Sequence, residues 1–207
     1  MPLMPHCITY YDDISTSDTM QDWAAVLSYF EATLMRIKED LPQVTEIYIQ
    51  SDNAKCYKPM ELLLGFVKVA KMHGLKLKMV MHTGVQDGKG PIDGHFAIVM
   101  KHVIRYCNSG NNVVTGQDVV GALHANGGVA NSVASLIGLN RMHVRSAIGA
   151  VKKMGSNRHH ETRFTDDRLG LVQYDYSGCA GKSYRFEKLL VKPQDVENGE
   201  QHVDDNS

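Results

Sequence analysis

Over the first hundred residues, apolar positions recur alternately with helical and strand periods. His6–Tyr11 predicts a short strand ending in an acidic turn at Asp12-Asp13. Trp23, Leu27, Phe30, Leu34, Ile37 and Leu41 then follow at spacings of three and four, which is one face of a helix. Asp18 and Gln21 supply a capping-box pattern at its start, and Leu41-Pro42 stops it. Glu46–Ser51 predicts a strand running straight into Asp52-Asn53-Ala54, and Pro59–His73 a second helix closed by Gly74. In Leu75–His82, Leu75, Leu77, Met79 and Met81 share one face, opposite Lys76, Lys78 and His82, which suits an edge strand with lysines outward. A turn containing Gly84, Gly88 and Gly90 leads to Pro91, which opens a third helix reaching about Tyr106. Three strand–helix units in a row predict an α/β fold with a mostly parallel sheet and right-handed crossovers.

Beyond Asn108 the pattern changes. Gly116–Ala125 and Ala130–Leu139 fit short helices, Met142–Met154 a longer one, and Asn157–Thr162 a polar loop. Leu169–Tyr176 and Lys182–Val191 fit two strands of a hairpin joined through Ser177-Gly178. This divides the chain into an α/β core over 1–110, a helical extension with a C-terminal β-hairpin over 111–192, and a disordered acidic tail over 193–207.

Composition narrows the class only slightly. Hydrophobic residues make up 43% and charged residues 22%, ordinary for a globular chain. No apolar run is long enough to span a bilayer and Met1–His6 lacks the segments of a secretory signal, so no membrane partner is expected. The four cysteines are scattered without a CxxC pair, which suits reduced thiols in the nucleus or cytoplasm. The net charge of -1 hides an asymmetry: the tail carries five acids and no Lys or Arg, leaving +4 on residues 1–192. Residues 141–163 hold six Lys or Arg against one acid, a balance that permits nucleic acid.

Two acids carry the candidate chemistry. Asp52 follows a strand at the carboxyl end, where ligands of open α/β sheets bind; its plainer role is a turn that caps the next helix. Asp93, in Gly88-Lys89-Gly90-Pro91-Ile92-Asp93, lies in the first turn of the helix after the next strand; its plainer role is to complement the helix dipole. Two carboxylates brought to one sheet edge suit a hard cation, Mg²⁺ or Mn²⁺, and such ions serve nucleic-acid phosphoryl transfer. His82 and His95 flank this site, and Cys56 follows Lys55; exposed histidines and a structural thiol are the plainer alternatives. Gly88-Lys89-Gly90 lacks the spacing and the Ser or Thr of a Walker motif. The ten histidines show no metal-ligand spacing. Val133–Ala150 has the outline of a helix-turn-helix, with Arg141, His143 and Arg145 on its second helix.

Ser51-Asp52-Asn53-Ala54-Lys55-Cys56-Tyr57 and Gly88–Asp93, with weaker support from Asn112–Thr115 and Ala122–Gly128, resemble the catalytic core of ribonuclease H-like DDE/D transposases and integrases. The likeness is greatest to a group of transposon-derived eukaryotic proteins. It implies that Asp52 and Asp93 are the second and third of three metal-holding acids, with Asp in place of the commoner Glu at the third. It implies DNA as partner, for which Lys55 and Lys89 and, on the helix-turn-helix outline, Arg141 and Arg145 are the candidate contacts. The helix after Asp18 then corresponds to the one joining the third and fourth strands of that fold. The hairpin carrying the first acid is therefore expected upstream of Met1, making this a partial core, inactive unless that acid is supplied. Asp12 or Asp13 substitutes only if His6–Tyr11 is the first strand. Two other readings compete: a non-enzymatic DNA-binding or interaction protein retaining the fold, and an unrelated α/β domain binding a phosphorylated ligand near Gly88–Gly90.

Overall fold

The computed structural model describes residues 8–16, 20–52, 54–83, 90–151, 161–165, 168–173 and 180–189. Its first strand is β1 (Tyr10–Ser15). The aspartates expected in a turn, Asp12 and Asp13, therefore lie inside a strand. Helix α1 (Trp23–Asp40) starts at Asp22, whose Oδ1 accepts the Ala25 N–H at 2.9 Å. Asp18 and its capping box lie outside the described residues. Strand β2 (Glu46–Ser51), helix α2 (Met60–Met72), strand β3 (Lys76–His82) and helix α3 (Pro91–Asn108) follow where the periodicity predicts them.

Helix α4 (Gly116–His124) opens on Thr115, whose hydroxyl accepts the Asp118 N–H, while Asp118 accepts the Thr115 N–H in return. The segment expected as the next helix is instead strand β4 (Ser132–Ile137). Gly127, Gly128 and Asn131 all take positive φ just before it, and a helix cannot continue through that backbone. Helix α5 (Arg141–Ile148) is shorter than expected because Gly149, at φ 74°, ends it. Glu161 and Thr162, expected in a loop, begin β5 (Glu161–Phe164). The hairpin strands are β6 (Arg168–Gln173) and β7 (Ala180–Arg185), and the end of the predicted second strand is instead a helical turn, α6 (Phe186–Leu189).

The fold is α/β, built on two sheets. β1 and β4 form a parallel ladder, Tyr10 opposite Ser132 through Ser15 opposite Ile137. The other sheet has the order β2-β3-β5-β6-β7, with β2 and β3 parallel and the remaining pairs antiparallel. Among the described residues, parallel pairing is thus confined to two pairs. β3 is interior rather than an edge strand, and Lys78 pairs with Glu46 across it at 3.6 Å. Ladders join residues on either side of 110: β4 pairs with β1 and β5 with β3.

Two apolar clusters fill the molecule. In one, α1 and α2 pack through Leu27, Leu34, Leu62 and Phe66 over Leu77 and Val80 of β3, with Phe30 edge-on to Phe66 at 4.6 Å. In the other, Val99 of α3 meets Val120 and Leu123 of α4, Val129 and Ala134, with Ile14 and Leu136 against them. No described helix is long and apolar enough to cross a membrane.

Two glycines sit at close approaches of different kinds. A Cβ on Gly116 would lie 2.5 Å from the Ser15 backbone oxygen, whereas one on Gly65 would meet the movable end of Leu27. Gly116→Ala is expected to destabilise by about 1–3 kcal/mol, since a strand must shift. Gly65→Ala should change stability by less than about 1 kcal/mol, helix propensity offsetting a rotamer change in Leu27. Urea unfolding of the two variants checks the order, and an equal loss from both would contradict it.

Candidate functional site

The site grows out of the carboxyl ends of β2 and β3. Their parallel register sets Ser51 opposite His82, and the Ser51 hydroxyl and His82 Nδ1 share a hydrogen bond of 2.8 Å. The Thr83 N–H donates to the Ser51 carbonyl at 2.9 Å, extending the ladder one residue further. His82 is buried, so it braces the two strand ends and is not the exposed histidine the sequence suggested. Asp52 emerges from this braced edge into solvent. Its Oδ1 accepts the Ala54 N–H at 3.0 Å, an Asx turn leading into a 3₁₀ turn over Lys55–Tyr57. Lys55 is exposed beside it.

Asp52 lines a cleft of about 540 Å³. Ser15 at the end of β1, Gln21 and Tyr29 at the start of α1, and Cys56 and Tyr57 line it too. Burial pushes the Cys56 thiol up, and the negative charges of Asp52 and Asp22 add to this, which disfavours the reactive thiolate form. Burial, then Cys56 and Asp52, raise the Tyr57 phenol in the same direction.

Asp93 is also exposed, in the first turn of α3, where its Oδ2 accepts the Gly90 N–H at 3.1 Å. Each of the two sequence-predicted acids thus uses one oxygen to hold its own turn. The loop between them, with Gly84, Gly88 and Lys89, lies outside the described residues. Among the described residues no group of three or more His, Cys, Asp or Glu side chains is placed to hold a metal ion. Two carboxylates nevertheless fit Mg²⁺ in donor type, because that ion is commonly held by one or two carboxylates with phosphate oxygens and water completing its shell.

The acids of β1 have other work. Asp12 receives the Ser132 hydroxyl and meets His95 Nε2 of α3 at 2.8 and 2.9 Å, and the Tyr10 ring lies flat on His95 at 3.7 Å. In a nucleophilic triad the histidine stands between acid and hydroxyl; here both serine and histidine address the acid, so this is a strut. Asp13 pairs with Arg36 and accepts the Thr33 hydroxyl at 3.0 Å, and Arg36 donates to the Ser135 hydroxyl at 2.8 Å. Burial raises the Asp13 carboxyl, with Arg36 and Thr33 opposing and Asp12 adding to the rise. Both carboxylates are thus engaged in holding the first strand to its neighbours. This cluster was missed because Asp12-Asp13 looked like a turn; two acids inside a strand would have signalled partners on both faces.

Arg141 and Arg145 of α5 both reach Asp22 at the start of α1, Arg145 remaining 53% exposed. Arg141 Nε meets Asp22 Oδ1 at 3.1 Å, Arg145 meets Asp22 Oδ2 at 2.7 Å, and the Arg145 guanidinium lies 5.7 Å from the Trp23 ring centre. Arg141 donates to the Met20 carbonyl as well. These contacts clamp α5 onto the start of α1. The helix-turn-helix outline fails, because its first half is strand β4. No protein-family model, curated protein or solved structure matches the chain.

Two measurements probe the β1 network. Asp13→Ala leaves Arg36, 15% exposed, without its carboxylate and should cost about 3 kcal/mol, most of it recovered in Asp13→Ala/Arg36→Met. A double variant no more stable than the single would show that the ion pair is not the cause. Tyr11 donates to Asp40 at 2.8 Å, and burial together with that carboxylate pushes its phenol up to about 12. The stability this contributes is complete below about pH 10, the phenol's ordinary value, and is lost as pH rises through about 12. A ¹³Cζ titration should place the Tyr11 midpoint near the upper value, and a midpoint at the ordinary one would remove the contribution.

Proposed function

We propose that the chain is a transposase-derived nucleic-acid phosphoryl-transfer core, incomplete in its own acids, in which Asp52 and Asp93 hold Mg²⁺ or Mn²⁺ against DNA phosphate. The observation that carries this reading is the position of Asp52. It is an exposed carboxylate at the carboxyl end of a parallel strand pair, on the rim of a 540 Å³ cleft, where open α/β sheets bind ligands. A metal held there would neutralise phosphate charge and lower the pKa of a bound water. Lys55, exposed next to Asp52, and Lys89 are the cations we assign to the DNA backbone. Arg141 and Arg145 are left out of that assignment because Asp22 occupies them. With Asp12 and Asp13 engaged in struts, metal affinity without DNA is expected to be weak and cleavage slow or absent. The cell compartment that goes with this reading is the nucleus or the cytoplasm.

The same struts favour a second reading, a DNA-binding protein that keeps the fold without cleaving. The two readings separate experimentally. Mn²⁺ should broaden backbone amide signals around Asp52–Tyr57 in proportion to the amount added, and Asp52→Asn or Asp93→Asn should reduce the effect at least tenfold. Mn²⁺ broadening that is unchanged in both variants would remove the metal site. Salt-sensitive DNA binding, weakened by Lys55→Ala, would then leave the non-enzymatic reading standing.

A further inference from the structure

Helix α3 has two apolar faces. One is the buried face already described, with His95 and Val99 and the half-buried Val103. The other is exposed: Ile92 at 73%, Phe96 at 64%, Met100 at 42% and Ile104 at 53%. These four recur every fourth residue, forming one i,i+4 ridge about 18 Å long at the helical rise. A surface helix of a monomer carries polar residues there, and a contiguous apolar ridge of this kind marks an interaction surface.

We propose that this ridge is a homodimer surface on which α3 of one copy packs antiparallel against α3 of another. Three features of the helix select a second copy. The ridge is self-complementary about its midpoint: reversed on itself, it sets Ile92 against Ile104 and Phe96 against Met100, a thioether–aromatic contact. Ridges of the i,i+4 type from two helices interdigitate at about −50°, the commonest helix crossing. The charges are also polarised along the helix. Its single acid, Asp93, stands in the first turn, and its bases, Lys101 and Arg105, stand in its second half. Antiparallel pairing aligns acidic end with basic end and opposes the two helix dipoles, whereas parallel pairing would set like charges together. Two such ridges with their flanks bury roughly 800–1,200 Å² in total, at the low end for specific association, so the dimer forms in the micromolar range.

This proposal does not depend on the reading of Asp52 and Asp93 as metal ligands. Sedimentation of the full chain should give 23.0 kDa when dilute and approach twice that mass at about a hundredfold higher concentration. Phe96→Glu and, separately, Ile104→Lys should hold the protein at monomer mass over the whole range. Both sites are more than half exposed, so the melting temperature should be retained. Ile98→Glu is the control, since Ile98 is 54% exposed but lies about 200° round the helix from Phe96, and it should leave the dimer intact. Lys101→Glu/Arg105→Glu should weaken association at least tenfold if the helices are antiparallel. Monomer mass at every concentration, or association as sensitive to Ile98→Glu as to Phe96→Glu, would overturn the surface. Association indifferent to the charge reversal would overturn its antiparallel arrangement.

Discussion

Neighbouring residues of a strand point to opposite faces, so the Asp12-Asp13 pair of β1 must satisfy one carboxylate in each of two layers. On one face Asp13 reaches Arg36 and Thr33 of α1, and on the other Asp12 reaches His95 of α3. Both acids also engage β4, Asp12 through Ser132 directly and Asp13 through Arg36 and Ser135. A two-stranded ladder is marginal alone and needs a covering layer. Here the covering helices are attached by charge as well as by the apolar cluster around Val99, Val120 and Leu123. Losing one partner of such a pair costs more than the pair contributes, because the other charge stays desolvated.

That constraint also limits the chemistry. Carboxylates that hold arginine, histidine and hydroxyl partners spend part of their lone-pair capacity on the fold. The acids that remain in solvent, Asp52 and Asp93, are held by single backbone N–H groups in their own turns. Such a turn fixes where the carboxylate is without cancelling its charge. The sheet edge beneath Asp52 is stiffened by the Ser51–His82 bond, so Asp52 is the better positioned of the two.

What the sequence made legible follows how strong the periodic signal is. The stripe from Trp23 to Ile37, the run Ile47-Tyr48-Ile49 and the alternation through Leu75–Met81 each exceed what a loop would show, and each element formed where expected. β4 did not announce itself because Ser132–Ile137 is a six-residue run without clear alternation, and short apolar runs fit helix and strand alike. Its partner β1 lies 122 residues earlier, Tyr10 against Ser132, a pairing no local pattern encodes. The same holds for charge. The basic stretch around Arg141 and Arg145 looked like a surface for an anionic partner, and its counter-ion proved to be Asp22, as far away in sequence. Net charge over a window counts residues, whereas availability depends on which of them fold onto one another.

The relation between the two candidate acids changes for a related reason. On the sequence they belong to successive units of one parallel sheet, and neighbouring strands would bring them to a single edge. In the fold Asp52 follows β2, within the five-stranded sheet, but α3 buries its apolar side against α4 and the β1–β4 ladder. Asp93 therefore takes its position from His95 and Asp12, two residues along its own helix and one strand away, rather than from β3. The separation of the two carboxylates is then set by how the ladder is held to α1, which contacts both β1 and α2. Asp12, through its contact with His95, ties the helix that carries Asp93 to the first strand, while Asp13 ties the same strand to α1.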